Sequence, residues 1–326
     1  MCTAISYSNG THYFGRNLDL EHWFSEAVTV TPRKFSFSFH SESTIQTHYA
    51  LIGVASVIDG YPLYYEATNE CGLSIAGLNF PGNAAYFAPQ PQKLNLAPYE
   101  LIPWFLGKYA SISEMRSDLT NLNITNIPFN DKLPLSPLHW LISDKSGSIV
   151  LESTPDGLHV YDNPINVLTN NPPFPYHLAN ISNYMNVTAN EPQNRFAGGL
   201  PLETFSRGMG GIGLPGDLSS ASRFVRAAFT LHNSVADADE ESSVSQFFHI
   251  LGSVAQQSGC VKVGDFYEKT LYSSCCNTEK GIYYYKTYHN SGLTAIRLHN
   301  CDLECKNLQC FPLRKDLSIH YENHNH

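Results

Sequence analysis

Apolar and polar residues alternate over short stretches along most of the chain, which is typical of β-strands. These stretches are rich in Val, Ile, Tyr, Phe and Thr, and they end at Gly, Pro, Asn or Asp, which favour turns. The pattern predicts strands at 2–7, 12–17, 27–31, 35–40, 49–58, 61–67, 73–80, 138–143, 148–153, 158–161, 167–169, 269–275, 281–289 and 294–298. Apolar residues spaced three and four apart predict helices at 97–108, 112–122 and 244–257, and another beginning near Ser219 or Ser220.

This mixture of strands and helices predicts one α+β domain over residues 1–326. A chain of 326 residues can bury roughly three quarters of its unfolded surface, so one large layered domain is feasible. No repeat, low-complexity tract or linker divides the chain. The tail after about residue 298 carries few structural signals.

The first two strands are expected to form a hairpin, because Asn9-Gly10 is a strong signal for a tight turn. A two-residue turn would place Asn17 opposite Cys2. A three-residue loop, with Gly10 in a bulge, would place Arg16 opposite Cys2 on the same face. We favour the second register because it gives the Arg16 guanidinium a thiolate to stabilise.

Composition and charge exclude several classes of function. The net charge of −9, without a long run of Lys or Arg, argues against nucleic-acid binding. No apolar stretch approaches the ~20 residues of a membrane span, so no membrane association is expected. The first residues lack a basic segment followed by an apolar one, so the sequence predicts a cytoplasmic protein without a secretory signal.

Neither the cysteines nor the glycines predict a metal or a cofactor. Cys301, Cys305 and Cys310 do not have the C-x-x-C spacing of a zinc site. The segment from Gly208 to Gly213 matches G-x-G-x-x-G, but no clear strand precedes it and Pro215-Gly216 follows it in place of a helix. We therefore expect chemistry that uses only the chain's own side chains.

Cys2 is the residue whose position suggests a reaction. Removal of Met1 would leave a residue carrying a thiol and a free α-amine on adjacent carbons. Thiols have a pKa of about 8.5 and α-amines one of about 7.7–8.0, so the amine can take the proton of the thiol near neutral pH. Such an N-terminal nucleophile needs no histidine. From position alone, an ordinary small residue near a start codon is the simpler interpretation.

Three further residues are candidates for the same site, each with a simpler structural alternative. Arg16 could hold a thiolate, or it could be a surface cation on a strand. Asp19 could accept the terminal ammonium or orient Arg16, or it could end the strand. Asn79 stands at a strand end before Pro81-Gly82, where an amide could face a ligand or form a turn.

Five ordered motifs between Cys2 and about Leu298 resemble the choloylglycine hydrolase family, and the bile-salt branch most closely. They are Met-Cys-Thr-Ala-Ile at 1–5, Gly-Arg-Asn-Leu-Asp at 15–19, Asn-Glu-Cys-Gly-Leu-Ser-Ile-Ala-Gly-Leu-Asn at 69–79, Leu-Thr-Asn-Asn-Pro at 168–172 and Gly-Leu-Pro-Gly-Asp-Leu-Ser-Ser-Ala-Ser-Arg-Phe at 213–224. The resemblance implies an N-terminal-nucleophile hydrolase fold, a four-layer αββα sandwich of two antiparallel sheets.

The resemblance also implies roles for individual residues. The nucleophile corresponds to Cys2, and the other catalytic residues are Arg16, Asp19, Asn79, Asn170 (in preference to Asn171) and Arg223 (in preference to Arg226). The implied reaction is hydrolysis of the amide of glycine- or taurine-conjugated bile acids through a thioester, without cofactor or metal. The family further suggests a homotetramer.

An apolar cleft for the steroid is expected beside the nucleophile. Its predicted residues are Leu18, Leu20, Trp23 and Phe24, with Leu63 and Leu133 from loops near 59–65 and 129–138. Two other functions stay open at this point. One is a penicillin V acylase-like amidase, and the other is a binding protein whose Cys2 is inert or remains behind Met1.

Overall fold

The computed structural model describes residues 1–323, which form seventeen strands and five α-helices. The strands are β1 (Cys2–Asn9), β2 (Thr11–Leu20), β3 (Ala27–Thr31), β4 (Leu51–Ile58), β5 (Tyr61–Asn69), β6 (Ser74–Asn79), β7 (Leu94–Leu96), β8 (Leu122–Ile124), β9 (Leu138–Asp144), β10 (Gly147–Thr154), β11 (Gly157–Asp162), β12 (Val167–Leu168), β13 (Val261–Val263), β14 (Phe266–Asn277), β15 (Ile282–Thr287), β16 (Thr294–Arg297) and β17 (Gln309–Pro312). The helices are α1 (Leu101–Lys108), α2 (Ile112–Asn121), α3 (Phe174–Ile181), α4 (Ser220–Asn233) and α5 (Glu240–Gly252).

Two antiparallel sheets hold most of these strands. The first sheet has the order β12-β1-β2-β14-β15-β16, with β13 added to β14. The second sheet has the order β11-β10-β9-β6-β5-β4-β3-β17. A separate parallel pair joins β7 to β8. Cys2 therefore begins a strand that has neighbours on both sides.

The sheets pack face to face, and helices cover both outer faces. On the first sheet, the ring of Tyr7 meets Phe247 of α5 edge-on, with centroids 6.3 Å apart. On the second sheet, Trp104 of α1 and Met115 of α2 are buried in one apolar cluster with Ile142 of β9. The order helix, sheet, sheet, helix is the four-layer sandwich that the family resemblance implied, and the α+β class is confirmed.

Successive side chains of β1 face opposite layers, as the pleat requires. Thr3 accepts a hydrogen bond from Arg223 of α4, whereas Ser6 bonds to Ser143 of the second sheet, with an O–O distance of 2.8 Å. Cys2 shares its face with Ser6 and so lies on the side of the second sheet.

The β1–β2 hairpin does not adopt either predicted register. Asn9 pairs with Thr11 around Gly10 alone, whose φ is 72°, and Cys2 pairs with Leu18. Arg16 pairs with Ala4, so the prediction that it lies directly opposite Cys2 is wrong by two residues. Because side chains repeat every two residues, the shift still leaves Arg16 and Cys2 on one face. The turn signal located the hairpin but did not set the length of its loop.

Two predictions about strands also need correction. Residues 35–40 form no strand; Phe37 makes a single bridge to Ile45, and its ring is buried among aromatic neighbours. The tail contributes β17, which pairs with β3 at the edge of the second sheet. Within residues 1–323, no helix has both the length and the apolar character of a membrane span.

Candidate active site

Cys2 is the first residue of β1, and its side chain is buried. Its backbone N–H donates to Oδ1 of Asn170, with an N–O distance of 2.8 Å. Met1 precedes it, and the Met1 ammonium donates to the backbone oxygen of Asp19 at 2.7 Å and pairs with the carboxylate of Glu268. The nitrogen of Cys2, which would become the α-amine after loss of Met1, thus already has an acceptor.

Arg223 connects the nucleophile strand to α4. The sequence places it in the first turns of the helix, where its buried guanidinium reaches β1. Nη1 donates to the carbonyl oxygen of Cys2 at 2.5 Å and to Oγ1 of Thr3 at 2.7 Å, while Nη2 donates to Oδ1 of Asn170 at 2.8 Å. Burial lowers the pKa of Arg223, and the nearby Asp19 carboxylate opposes that shift.

The alternative residues do not join this cluster. Nη1 of Arg226 instead donates to the carbonyl oxygen of Gly216. The amide of Asn171 donates to the carbonyl oxygen of Pro81, whereas that of Asn170 donates to the carbonyl oxygen of Asn79 at 2.6 Å. Geometry therefore favours Asn170 over Asn171 and Arg223 over Arg226 as neighbours of Cys2.

Arg16 is fully buried, and its side chain lies on the same face of the β1–β2 hairpin as the side chain of Cys2. Its Nη1 donates to the carbonyl oxygens of Gly77 at 2.5 Å and Tyr65 at 3.1 Å, and its Nε lies 3.9 Å from Oε2 of Glu66. Burial disfavours the charged form, but the nearby Cys2, Tyr272, Glu66 and Asp19 together raise the pKa of Arg16. Nη2 has no hydrogen-bond partner among the described residues, which leaves a buried donor for a substrate or a thiolate.

Asp19 lies on the opposite face of β2 from Arg16. Its Oδ1 accepts a hydrogen bond from Thr270 at 2.6 Å, and its Oδ2 stands 3.9 Å from Nη1 of Arg223. Burial raises the pKa of Asp19, while Arg223 and the terminal ammonium counteract that shift. The carboxylate therefore faces Arg223 and does not orient Arg16 through a hydrogen bond.

Two buried carboxylates near the site were not found from the sequence. Glu66 accepts hydrogen bonds from the hydroxyls of Tyr272 at 2.7 Å and Tyr283 at 2.5 Å, so it anchors the environment of Arg16. Glu268 pairs with the Met1 ammonium. One signal could have identified Glu66, because it is the only charged residue in the strand from Tyr61 to Asn69.

The predicted steroid-binding residues fall into three environments. Leu18 pairs with Cys2 and is buried in the core. Leu20 and Trp23 are half-buried against that core, and Phe24 is 57% exposed. Leu63 of β5 pairs with Ser56, whose Oγ donates to the carbonyl oxygen of Phe24, and Leu133 forms a bridge with Asn130 in the loop before β9.

Nζ of Lys315 lies 3.7 Å above the ring of Trp23, one of the predicted cleft residues. Across residues 1–323, no three His, Cys, Asp or Glu side chains are arranged to hold a metal ion. What the site does offer is a buried thiol, two guanidinium groups and two strand-end asparagines.

Comparisons with known proteins identify the family. Residues 2–311 match the model for linear amide C–N hydrolases, choloylglycine hydrolase family. The bile salt hydrolase/transferase of Lactiplantibacillus plantarum is 52% identical over 324 residues, covering 99% of this chain and 100% of the relative. The bile salt hydrolase/transferase of Clostridium perfringens is 37% identical, with 99% and 100% covered.

Solved structures give the same picture of the fold. A mutant of the conjugated bile acid hydrolase from Clostridium perfringens superposes with a TM-score of 0.92 at 36% identity, covering 99% of this chain and all of that one. The penicillin V acylase from Agrobacterium tumefaciens gives 0.74 at 19% identity, covering 95% and 90%, and shows the shared fold alone. The N-terminal-nucleophile fold predicted from the motifs is confirmed, and the chain belongs to the choloylglycine hydrolase family of linear amide C–N hydrolases.

Proposed function

We propose that this enzyme hydrolyses the amide bond of glycine- or taurine-conjugated bile acids, with Cys2 as nucleophile after removal of Met1. The observation that carries the proposal is the convergence of Asn170 and Arg223 on the backbone nitrogen and carbonyl of Cys2. The relatives named bile salt hydrolase span nearly the whole chain, which supports the choice of substrate.

The first half of the reaction forms a thioester. The α-amine of Cys2 takes the thiol proton, and Sγ attacks the amide carbon of the substrate. Oδ1 of Asn170 accepts from this nitrogen, so it holds the base beside its thiol. Arg16 lies on the same face as Cys2, where its unpartnered Nη2 can stabilise the thiolate.

Collapse of the tetrahedral intermediate breaks the carbon–nitrogen bond. The side-chain amide of Asn79 and that of Asn170 are the proposed donors to the oxyanion, and one such donor is typically worth ~2.7–4 kcal/mol. The ammonium of Cys2 passes its proton to the leaving glycine or taurine nitrogen. It then takes a proton from water, which attacks the thioester and releases the bile acid with the thiol restored.

The residues proposed for the apolar cleft are Leu18, Leu20, Trp23 and Phe24, together with Leu63 and Leu133. Trp23 is half-buried and Phe24 is exposed, and both follow β2, the strand that pairs with β1. Their rings offer a wide apolar surface for a rigid ring system. Leu18 is buried in the core, so we assign it a supporting role below the cleft.

The proposal is tested by comparing kcat/KM for glycocholate, taurocholate and penicillin V, with wild-type protein and Cys2→Ala. We expect hydrolysis of the conjugated bile salts to exceed that of penicillin V and to vanish in Cys2→Ala while the circular-dichroism spectrum stays unchanged. A wild-type preference for penicillin V would identify the alternative acylase. Substrate binding without turnover would identify a binding protein.

The segment between α3 and α4 supports a homotetramer, which we propose as the assembled state. Six of its large apolar side chains are exposed, namely Met185, Phe196, Leu200, Leu202, Phe205 and Ile212. Exposed apolar patches of this kind mark protein interfaces, and a second copy of this chain is the occupant that we propose. Light scattering should give four chains for the wild type and fewer for Phe196→Asp/Phe205→Asp. A wild-type monomer would contradict the proposal. The cytoplasmic location stays a prediction for cell fractionation to test.

A further inference from the structure

His139 and Glu152 form a buried pair directly below the strand ends that carry the candidate site. Both side chains have no exposed surface, and Nδ1 of His139 lies 2.9 Å from Oε1 of Glu152. Nε2 of His139 lies 3.0 Å from the carbonyl oxygen of Thr169, the residue before Asn170. Glu152 also accepts a hydrogen bond from the backbone N–H of Phe174 at 3.0 Å.

This arrangement requires one extra proton. A carbonyl oxygen only accepts hydrogen bonds, and so does an ionised carboxylate. Both contacts of His139 form only when each ring nitrogen carries a hydrogen, or when Glu152 carries one and donates it to Nδ1. In either case the pair holds one proton more than a neutral imidazole and a carboxylate together, and that proton belongs to the pair.

A second histidine extends the network to Asn170 itself. Nε2 of His177 on α3 donates to the carbonyl oxygen of Asn170 at 3.0 Å. A carbonyl oxygen only accepts, so Nε2 carries the hydrogen of this contact, and burial lowers the pKa of His177, which favours the neutral ring. His177 and Tyr161 of β11 are the titratable neighbours that face the pair from the packed elements.

The two rings also support the neighbours of the remaining candidate residues. His139 stacks on Phe80, which follows Asn79, with centroids 4.2 Å apart and planes 7° apart. His177 stacks on Phe224, which follows Arg223, with centroids 4.7 Å apart. One buried layer therefore contacts the backbone or the adjacent ring of each of the three residues.

We propose that Glu152 and His139, sharing one buried proton, are positioning residues that, together with His177 of the same layer, fix Asn79, Asn170 and Arg223 around Cys2. The proposal rests on the function proposed above, because the roles of those three residues do. It assigns the pair no contact with substrate. Its effect is on the geometry of the strand ends, where a displacement of about 1 Å can cost on the order of 100-fold in rate.

Three variants separate positioning from simple loss of packing. Glu152→Gln keeps an acceptor for Phe174 and supplies an N–H to a neutral His139, so every hydrogen bond survives without the extra proton. Glu152→Ala removes both contacts. His12→Gln is the matched control, since His12 is equally buried but bonds to Ser6, Ser143 and Thr278, away from Asn170.

We expect Glu152→Ala to lower kcat by about 10- to 100-fold with little change in KM, and to slow labelling of Cys2 by iodoacetamide. Glu152→Gln should restore kcat to within about threefold of the wild type, and His12→Gln should keep kcat while lowering the unfolding temperature. Proton NMR should show a downfield resonance for the shared proton in the wild type that is lost in Glu152→Ala and shifted in Glu152→Gln.

An unchanged kcat in Glu152→Ala, or equal losses in Glu152→Ala and Glu152→Gln, would overturn the proposal. If Glu152→Ala does not fold, His139→Gln replaces it in the test. This variant keeps a donor to the carbonyl oxygen of Thr169 but removes the donor that faces Glu152, so its kcat must fall. Labelling and NMR need no substrate. A wild type that hydrolyses no bile salt would therefore refute the proposed function, whereas the labelling rates would still decide this inference.

Discussion

At the scale of single residues, the site depends on buried side chains of opposite charge that compensate one another in pairs. Arg16 and Glu66 stand 3.9 Å apart, as do Arg223 and Asp19, and all four side chains are buried. Removing one member of a buried pair leaves the other charge uncompensated and typically costs about 3–5 kcal/mol of stability. A single variant that loses activity must therefore be compared with a variant in which the buried charges stay balanced.

Arg16→Lys is predicted to remain folded and to lose at least about 10-fold in kcat/KM. Lysine keeps the charge opposite Glu66, but it has no planar fork to reach Gly77, Tyr65 and the nucleophile together. The measurement is kcat/KM on glycocholate, with the rate of Cys2 alkylation as a function of pH. The control is the double variant Arg16→Met/Glu66→Gln, which removes both charges together. We expect it to fold stably but to be inactive. Normal turnover in Arg16→Lys would contradict this role.

Asn79→Tyr is predicted to lower the preference for conjugated bile salts over penicillin V. The side-chain amide of Asn79 makes no hydrogen bond to another residue among those described, and its backbone oxygen accepts one from Asn170. A tyrosine there would fill the space that a steroid needs. The ratio of kcat/KM values for glycocholate and penicillin V measures the effect. An unchanged ratio would remove Asn79 as a determinant of specificity.

At the scale of elements, periodicity located most of the strands and helices but did not set how they pair. Residues 27–31 form the predicted strand, in which Val28 and Val30 alternate with Thr29 and Thr31. The hairpin differs by two residues in register, since Gly10 closes the turn alone. Helix α3 was not predicted because Pro172, Pro173 and Pro175 mark a loop, although Pro175 falls in the first turn, where proline is tolerated.

Site residues that lie in a family motif were predictable from the sequence. Residues that only tertiary contacts bring to the site were not. Asn170 and Arg223 were identified by resemblance, and contacts across 168 and 53 residues bring them to Cys2 and to each other. The sequence does not single out Glu152 and His139 as a pair, because each is an isolated polar residue in a mainly apolar strand. The antiparallel register of the neighbouring strands β9 and β10 in the second sheet brings them side by side.

Strand β17 leads to a prediction about the tail. Deleting residues 309–326 removes the partner of β3 and the buried Leu313, so we expect a loss of about 2–5 kcal/mol in unfolding free energy and aggregation through the open edge. Urea denaturation and size-exclusion chromatography measure both effects. The matched control lacks only residues 317–326 and retains the strand. Equal stability of the two deletions would show that β17 does not hold the second sheet.

At the scale of the whole molecule, His12 links stability to pH. Burial lowers the pKa of His12 from 6.5 to about 4, so the unfolded chain binds a proton between these values that the folded chain does not. Stability contributed by the neutral ring is present above pH 6.5 and is lost as the pH falls towards 4. The shift corresponds to about 3 kcal/mol.

His12→Gln isolates this contribution because the other titrating groups are common to both proteins. We expect the stability advantage of the wild type over His12→Gln to shrink by about 3 kcal/mol between pH 7 and pH 4. The measurement is denaturant unfolding at several pH values. A difference that stays constant across this range would mean that His12 titrates alike in the folded and unfolded chains.

The proposed mechanism requires a free α-amine and a thiol on Cys2, and intact mass spectrometry of protein quenched during turnover reports on both. We expect protein turning over glycocholate to lack Met1 and to carry a cholyl group in a thioester on Cys2. Cys2→Ala should show neither adduct nor turnover. Full activity from protein that retains Met1, or a cholyl adduct on any other residue, would refute catalysis by an N-terminal Cys2.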